Sequence, residues 1–377
     1  MVQVIRTVQR MKSYSIEQFI SGNFMYVPIH EIHREDVDSF LAWSIYVSHL
    51  HKLTDAEKEV VLQTRLTMKE MQEIQEMQGI IKRTNPGNKH TDTGFHNMDS
   101  ITIRHKPLLF YAFIGAIECT SGLLYYRRYG FQRRYYNGIS YWVRPGKEGI
   151  KGIPVLFFHG ICTGWTYYAS FMQTVFDPDQ TVLLIDYKWV QLNWISLQGP
   201  DVQTYLKYVN EIAQQYTGNT RVSLIGHSYG TFLAGAYARM YPVKQLVLID
   251  PIAISLIFPE ATYNLLYKPV TSWHDVLLDY FVRGDPSIHH CLNRHFTWYN
   301  SCLFLEDVPP SIEIVLFIGE KDAMIPLAPI QELVQIDNEH VSHATKDRTR
   351  VIVMPGIDHG QAIMEMDALK LMRDAMK

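Results

Sequence analysis

Gly226-His227-Ser228-Tyr229-Gly230 is the pentapeptide of this chain with the clearest chemistry. It follows an apolar run, Arg221–Ile225, and precedes a helical stretch at 229–241. A G-x-S-x-G placed between strand and helix makes a turn so tight that side chains at its flanks would clash. Gly226 and Gly230 answer that need, and Ser228 stands at the tip with its hydroxyl exposed. A serine nucleophile needs a histidine base, and the base needs an acid to orient it. His359 lies in Gly356-Ile357-Asp358-His359-Gly360, after the run Arg350–Met354. Asp322 lies in Gly319-Glu320-Lys321-Asp322, after the run Glu313–Ile318. The order Ser, acid, His fits a serine that emerges from a strand–helix turn. Asp250, at the end of another apolar run and before Pro251, is the alternative acid; its bland role is to form a turn. The oxyanion made by attack needs two backbone N–H donors. Tyr229 supplies one. Ile161, in His159-Gly160-Ile161-Cys162 after Ile153–Phe158, is the candidate for the other. His159 is expected to brace that loop, and Cys162 has no evident partner histidine.

These residues work only if the elements bring them to one edge. The runs Ile153–Phe158, Thr181–Asp186, Arg221–Ile225, Gln245–Ile249, Glu313–Ile318 and Arg350–Met354 each fit a buried strand, and Ser140–Val143 fits an earlier one. Helical stretches at 199–216, 229–241, 328–339 and 359–375 alternate with them. That alternation predicts an α/β fold with a mostly parallel central sheet flanked by helices. Ser228, Asp322 and His359 then all lie at carboxyl ends of strands, where open sheets of this kind bind ligands. Residues 251–312 contain no strand pattern and are too long for a bare loop. They are expected to form a helical cap whose aromatic residues line a pocket.

Before residue 136 the pattern is helical. Asp36–Leu50 is amphipathic, Thr54-Asp55-Ala56-Glu57 opens a further helix as a capping box, and the helical spacing continues through Met71, Met77 and Ile81. Asn85-Pro86-Gly87 ends it, and 83–100 reads as loop. The expected division is a helical N-terminal extension over 1–135 and a catalytic domain over 136–377. Residues 107–126 (PLLFYAFIGAIECTSGLLYY) carry one charge, Glu118. They read as a helix buried between extension and core. Peripheral membrane contact through 107–136 and a membrane span are the alternatives. Residues 1–16, with Arg6, Arg10 and Lys12 and no acid, read as a short solvated arm or helix; a mitochondrial transit peptide is the alternative.

Phe158-His159-Gly160, Gly226–Gly230, Gly319–Asp322 and Gly356–Gly360 together resemble the motif set of the α/β-hydrolase superfamily, over roughly residues 139–377. The resemblance implies that fold and serine-type catalysis, and says little about substrate. Ser228 departs from the epoxide hydrolase and dehalogenase branches, which use Asp there. The cap segment Arg283-Gly284-Asp285-Pro286 to Asn300 is more loosely similar to caps of mostly fungal members with long N-terminal extensions.

The expected activity is hydrolysis of lipophilic carboxylic esters, with no cofactor and no metal. A thioesterase, amidase or acyltransferase on the same residues, or a non-catalytic adaptor at a lipid surface, are the rivals. Composition fits a folded enzyme: 47% of the 377 residues are hydrophobic and 19% charged, which excludes a disordered chain. A net charge of −3 says little about partners, but a nucleic-acid binder would usually show a basic balance or face, and no nucleic-acid partner is expected. Four cysteines without a CxxC pair suggest free thiols in a reducing, intracellular compartment; a Cys291–Cys302 bridge is the alternative that spacing allows. His30-Glu31-Ile32-His33 falls one residue short of a zinc helix pattern.

Overall fold

The computed structural model describes residues 1–70, 95–100, 102–147, 153–161, 163–193, 199–218, 221–340 and 348–376. The expected helical residues from Met71 to Ile81, most of the 83–100 loop, and Cys162 lie outside them. Among the described residues one sheet has eight strands. They are β1 Gln132–Tyr136, β2 Ile139–Arg144, β3 Val155–Phe158, β4 Val182–Ile185, β5 Val222–His227, β6 Val243–Ile249, β7 Glu313–Gly319 and β8 Thr349–Met354. Their spatial order is β1-β2-β4-β3-β5-β6-β7-β8. β2 runs antiparallel to both neighbours, and β3 to β8 are parallel.

The parallel strands read as unbroken apolar runs because both of their faces are covered. Leu156, Phe158, Leu224, Leu246, Leu248 and Leu316 point to one side, into a core shared with helices Val202–Thr217, Gly230–Met240 and Leu327–His340. Val155, Phe157, Ile225, Val247, Val315 and Phe317 point to the other, against helices Ala169–Val175 and Met366–Ala375. The register aligns the strand ends: Phe158 opposite Gly226, His227 opposite Ile249, Ile249 opposite Phe317, Gly319 opposite Met354. Loops leaving those ends share one edge.

Four expectations need correction. Residues 1–16 are not a solvated arm: Val4, Ile5 and Val8 of the helix Val2–Arg10 are buried in the main core. The sheet begins before residue 136, because Gln132–Tyr136 is a strand. It is an edge strand with a mostly exposed, basic and tyrosine-rich sequence, so it lacks an apolar run. Asn137-Gly138, with φ of 45° and 80°, turns it into β2; Asn-Gly is the usual residue pair of a tight hairpin. The last helix starts at Met366 instead of 359, since residues 359–364 form turns that hold His359 at the sheet edge. The segment 107–126 is a helix, Leu108–Ser121, continued by a π turn at Gly122–Tyr126. It is not buried: Tyr111 is inward, while most of its large apolar side chains face outward.

The N-terminal helices Val2–Arg10, Ile16–Asn23 and Arg34–Tyr46 share the larger core with the sheet and with residues 251–312. Tyr14 packs edge-on against Phe258, and the Trp298 indole donates to the Ser44 carbonyl at 3.2 Å. His33 precedes the helix Arg34–Tyr46, so His30 and His33 do not share a helical face.

Residues 251–312 form short helices interrupted by π turns. The Arg283–Pro286 segment fastens them. The Arg283 guanidinium donates to the carbonyls of Asn264, Leu265 and Lys268 at 2.7–2.8 Å. Asp285 caps the helix Pro286–His290 through the amides of Ser287 and Ile288. Its other oxygen takes the Tyr111 hydroxyl at 3.0 Å and the Lys106 ammonium at 3.4 Å, and both charges are buried. Removing one partner of a buried ion pair leaves the other charge uncompensated. Asp285→Ala is therefore expected to lower the unfolding free energy by about 3–5 kcal/mol in urea titrations. A loss under about 1 kcal/mol, the range of exposed pairs, would show that water reaches Lys106.

Candidate active site

The elbow is built by contact. A Cβ on Gly226 would lie 2.8 Å from the Gly230 carbonyl oxygen and 2.9 Å from Thr231 Cα. One on Gly230 would strike the carbonyl oxygens of Phe158 and His159. Ser228 between them has a φ of 49°, a left-handed conformation that a non-glycine residue keeps only when its surroundings impose it. Its amide donates to the Ile249 carbonyl at 2.9 Å, and its carbonyl accepts from the Thr231 amide and hydroxyl. The Thr231 hydroxyl in turn accepts from the Ala253 amide at 3.0 Å.

Ser228, His359 and Asp322 come together from three different strand ends. Ser228 Oγ lies 2.9 Å from His359 Nε2. His359 Nδ1 lies 2.8 Å from Asp322 Oδ2. The second Asp322 oxygen accepts from the amides of Met324 and Ile325 at 2.8 and 3.1 Å, which fixes the carboxylate plane. Burial pulls the His359 imidazole down, but the charge and hydrogen bond of Asp322, with Asp250 behind it, raise it to about 9.

Asp250 does not hydrogen-bond to His359. It is fully buried with a φ of 48°, and its Oδ2 accepts from the Gly360 amide at 2.8 Å. His227 Nε2 lies 3.3 Å from the same oxygen. Burial alone would raise the Asp250 carboxyl; the His227 ring, the His359 charge and the Gly360 amide outweigh it and hold it below the usual range. Ligand atoms of Asp250, Asp322 and His359 lie within 4.8 Å of one another. Both nitrogens of His359 already face Ser228 and Asp322, so this cluster is arranged to handle a proton and makes a poor cation cage.

Ile161 and Tyr229 line the same cavity as Ser228 and His359. Gly160, just before Ile161, runs across the elbow: a Cβ there would lie 2.8 Å from His227 Nδ1 and 3.0 Å from Ser228 Cβ. His159 is fully buried, stacked on Tyr187 at 3.8 Å, with Nδ1 donating to the Gly160 carbonyl at 2.7 Å. Burial lowers it to about 4, so it is neutral.

Sequence reasoning missed Tyr168. Its hydroxyl accepts from the Gly160 amide at 2.6 Å and lies 2.7 Å from His227 Nδ1. Gly160, Tyr168, His227, Asp250 and Gly360 thus form a buried chain joining the Ile161 loop to the His359 loop. No spacing in the sequence signals it. Cys291 and Cys302 are free, and burial raises both thiols to about 12.

The cavity holds about 460 Å³, within the ~300–1,000 Å³ of small-molecule sites. Ser228 and His359 line it together with mostly apolar side chains such as Phe232, Leu265, Leu266, Ile288, Leu292 and Phe296, and with His96, Thr163 and Thr262.

Residues 153–309 match the family model described as the alpha/beta hydrolase fold. Among solved structures, the chain is similar to a membrane phospholipase A, a bacterial virulence factor, with 15% identity over 71% of this chain and 93% of that chain (TM-score 0.47). It is similar to the Cif epoxide hydrolase from Acinetobacter nosocomialis, with 13% identity over 78% and 99% (TM-score 0.47). It is also similar to MGS-M2, an alpha/beta hydrolase enzyme from a Medee basin deep-sea metagenome library, with 14% identity over 65% and 96% (TM-score 0.45). Likenesses this distant say nothing about substrate. No curated protein matches the chain.

The neutral imidazole is the form that can take a proton from Ser228. Activity (kcat/KM) is therefore expected to rise with pH, to be half-maximal near pH 9, where His359 loses its proton, and to level off above it. Asp250→Asn removes one charge that favours the imidazolium, so the same limb should move to lower pH. A limb that stays in place would show that Asp250 does not act on His359.

Proposed function

We propose that this protein, a member of the α/β-hydrolase superfamily, is a serine hydrolase that cleaves lipophilic carboxylic esters through an acyl-enzyme. One arrangement carries the reading: a strained serine 2.9 Å from an imidazole that is itself paired to a buried carboxylate, at the wall of an apolar cavity.

Ser228 Oγ attacks the ester carbonyl carbon while His359 Nε2 takes its proton. Asp322 keeps the imidazole turned toward Ser228 and stabilises the imidazolium. The carbonyl electron pair moves onto oxygen, where the amides of Ile161 and Tyr229 receive it. The helix Gly230–Met240 begins two residues after Ser228, so its N-terminus adds favourable potential at the same point. Collapse of the tetrahedral intermediate expels the alcohol, which takes the proton from His359. Water then enters, gives a proton to His359 and releases the acid by the same route.

The cavity supports the substrate class. Its walls offer an acyl chain dispersion contacts and few competing hydrogen bonds. Each buried methylene contributes about 0.8 kcal/mol, so kcat/KM across a series of p-nitrophenyl esters should climb roughly fourfold per carbon until the cavity is full. A preference for the acetyl ester, or faster turnover of the matched thioester or amide, would overturn the lipophilic-ester reading.

Ser228→Ala should lower kcat by ~10⁶-fold, as in comparable triads, with the thermal unfolding curve nearly unchanged. Asp322→Asn should lower kcat far more than Asp250→Asn. The reverse order would make Asp250 the orienting acid.

A further inference from the structure

The helix Leu108–Ser121 and the π turn after it show an apolar face to solvent. Leu109 is 79% exposed, Phe113 62%, Leu123 59% and Leu124 69%. A few hundred Å² of contiguous apolar surface on a soluble chain marks an interaction site. The ridge does not end with this helix. Phe110 packs against Tyr280 and Phe281, both at 6.1 Å between ring centres. On that side of the contact Trp273 is 81% exposed and Leu277 52%. Leu277 and Phe281 also line the cavity that holds Ser228. The exposed ridge is therefore continuous with a wall of the cavity.

The charges beside the ridge choose its partner. Between residues 102 and 136 there are six Lys and Arg and one acid, although the whole chain carries −3. Lys106 is buried on Asp285, and Arg104 and Arg133 pair with Asp279 and Asp186, so Arg127, Arg128 and Arg134 are the charges left to a partner. Glu118, that acid, is turned away from the ridge and pairs with Lys188 at 2.7 Å. Arg127 and Arg128, directly after the apolar face, are exposed. The hydroxyls of Thr120 and Ser121 donate back to the carbonyls of Ala116 and Ile117 at 2.7 and 2.6 Å, so they cost little in an apolar medium. Among the described residues no helix is long and apolar enough to cross a membrane. Such a ridge lies in the headgroup region, with its apolar face down and its arginines among the phosphates.

We propose that the ridge formed by 108–124 and 273–280 docks on the surface of an anionic lipid bilayer. The bilayer covers the apolar side chains, and Arg127 and Arg128 pair with its headgroups. The docked surface rests on the hydrolase reading only for what it delivers: an ester moves from the lipid phase past Leu277 into the cavity without crossing water.

The test is sedimentation of the full-length protein with vesicles of phosphatidylcholine alone or mixed with phosphatidylserine, beside turnover of a short soluble ester. The expected result is binding to the mixed vesicles that weakens as salt is raised. Phe113→Glu/Leu124→Glu should lower that affinity at least tenfold. Arg127→Gln/Arg128→Gln should lower it roughly tenfold or more at low salt and leave any weak binding to neutral vesicles unchanged. Both variants should keep wild-type turnover of the soluble ester, which shows that they are folded. Failure of the wild-type protein to bind mixed vesicles would overturn the proposal. So would a dimer in gel filtration that Phe113→Glu/Leu124→Glu dissociates, since a second copy would then cover the ridge. Vesicle binding without any ester turnover would leave this docking intact and remove the hydrolase reading instead.

Discussion

Between Gly230 and the end of β3 there is no room for a side chain. The carbonyls of Phe158 and His159 occupy the space that a Cβ at 230 would need. The contact locks the turn carrying Ser228 to the strand that launches the Ile161 loop. Parallel register then carries the alignment across the sheet, from Phe158 and Gly226 to Ile249, Phe317 and Met354. Because the strand ends are level, a serine, an aspartate and a histidine spread over 131 positions of the chain reach one point with hydrogen-bond distances below 3 Å. The strain at Ser228, with φ near 49°, persists because backbone groups on every side fix the turn.

A second buried polar chain runs behind the first. Tyr168, His227 and Asp250 connect the amides of Gly160 and Gly360 through three side chains. Its members are nearly or fully buried, so each missing contact would leave a polar group without water. This rigidity keeps the loops on either side of Ser228 at fixed separation. It also puts a second carboxylate close to His359 and raises the imidazole further than Asp322 would alone. Asp250 is thus an electrostatic neighbour of the site that makes its direct bonds elsewhere.

Much of this was legible in the sequence, and the limits have physical causes. The parallel strands were readable because strands covered on both faces are unbroken apolar runs. Ser228, Asp322 and His359 were readable because each follows such a run at a glycine-bearing turn. β1 was not, because an edge strand needs no apolar run; only Asn137-Gly138 marked it. The helix at 108–121 was misread as buried because hydropathy reports apolar character and is silent on whether protein or another phase covers it. Tyr168, and the position of Asp250 relative to His359, depend on contacts between residues scores of positions apart. Local pattern holds no record of those. Arg283 and Asp285 belong to the same class: a short motif whose work is to bind carbonyls, amides and a lysine on distant segments.

The central claim is that Ser228 is an activated nucleophile at the wall of an apolar cavity. The most direct measurement is covalent labelling of the purified protein with an alkyl fluorophosphonate, read by peptide mass spectrometry. The account predicts a single adduct on Ser228, absent from Ser228→Ala and strongly slowed in Asp322→Asn. Well-folded protein that takes no label, or takes it equally in Ser228→Ala, would contradict it.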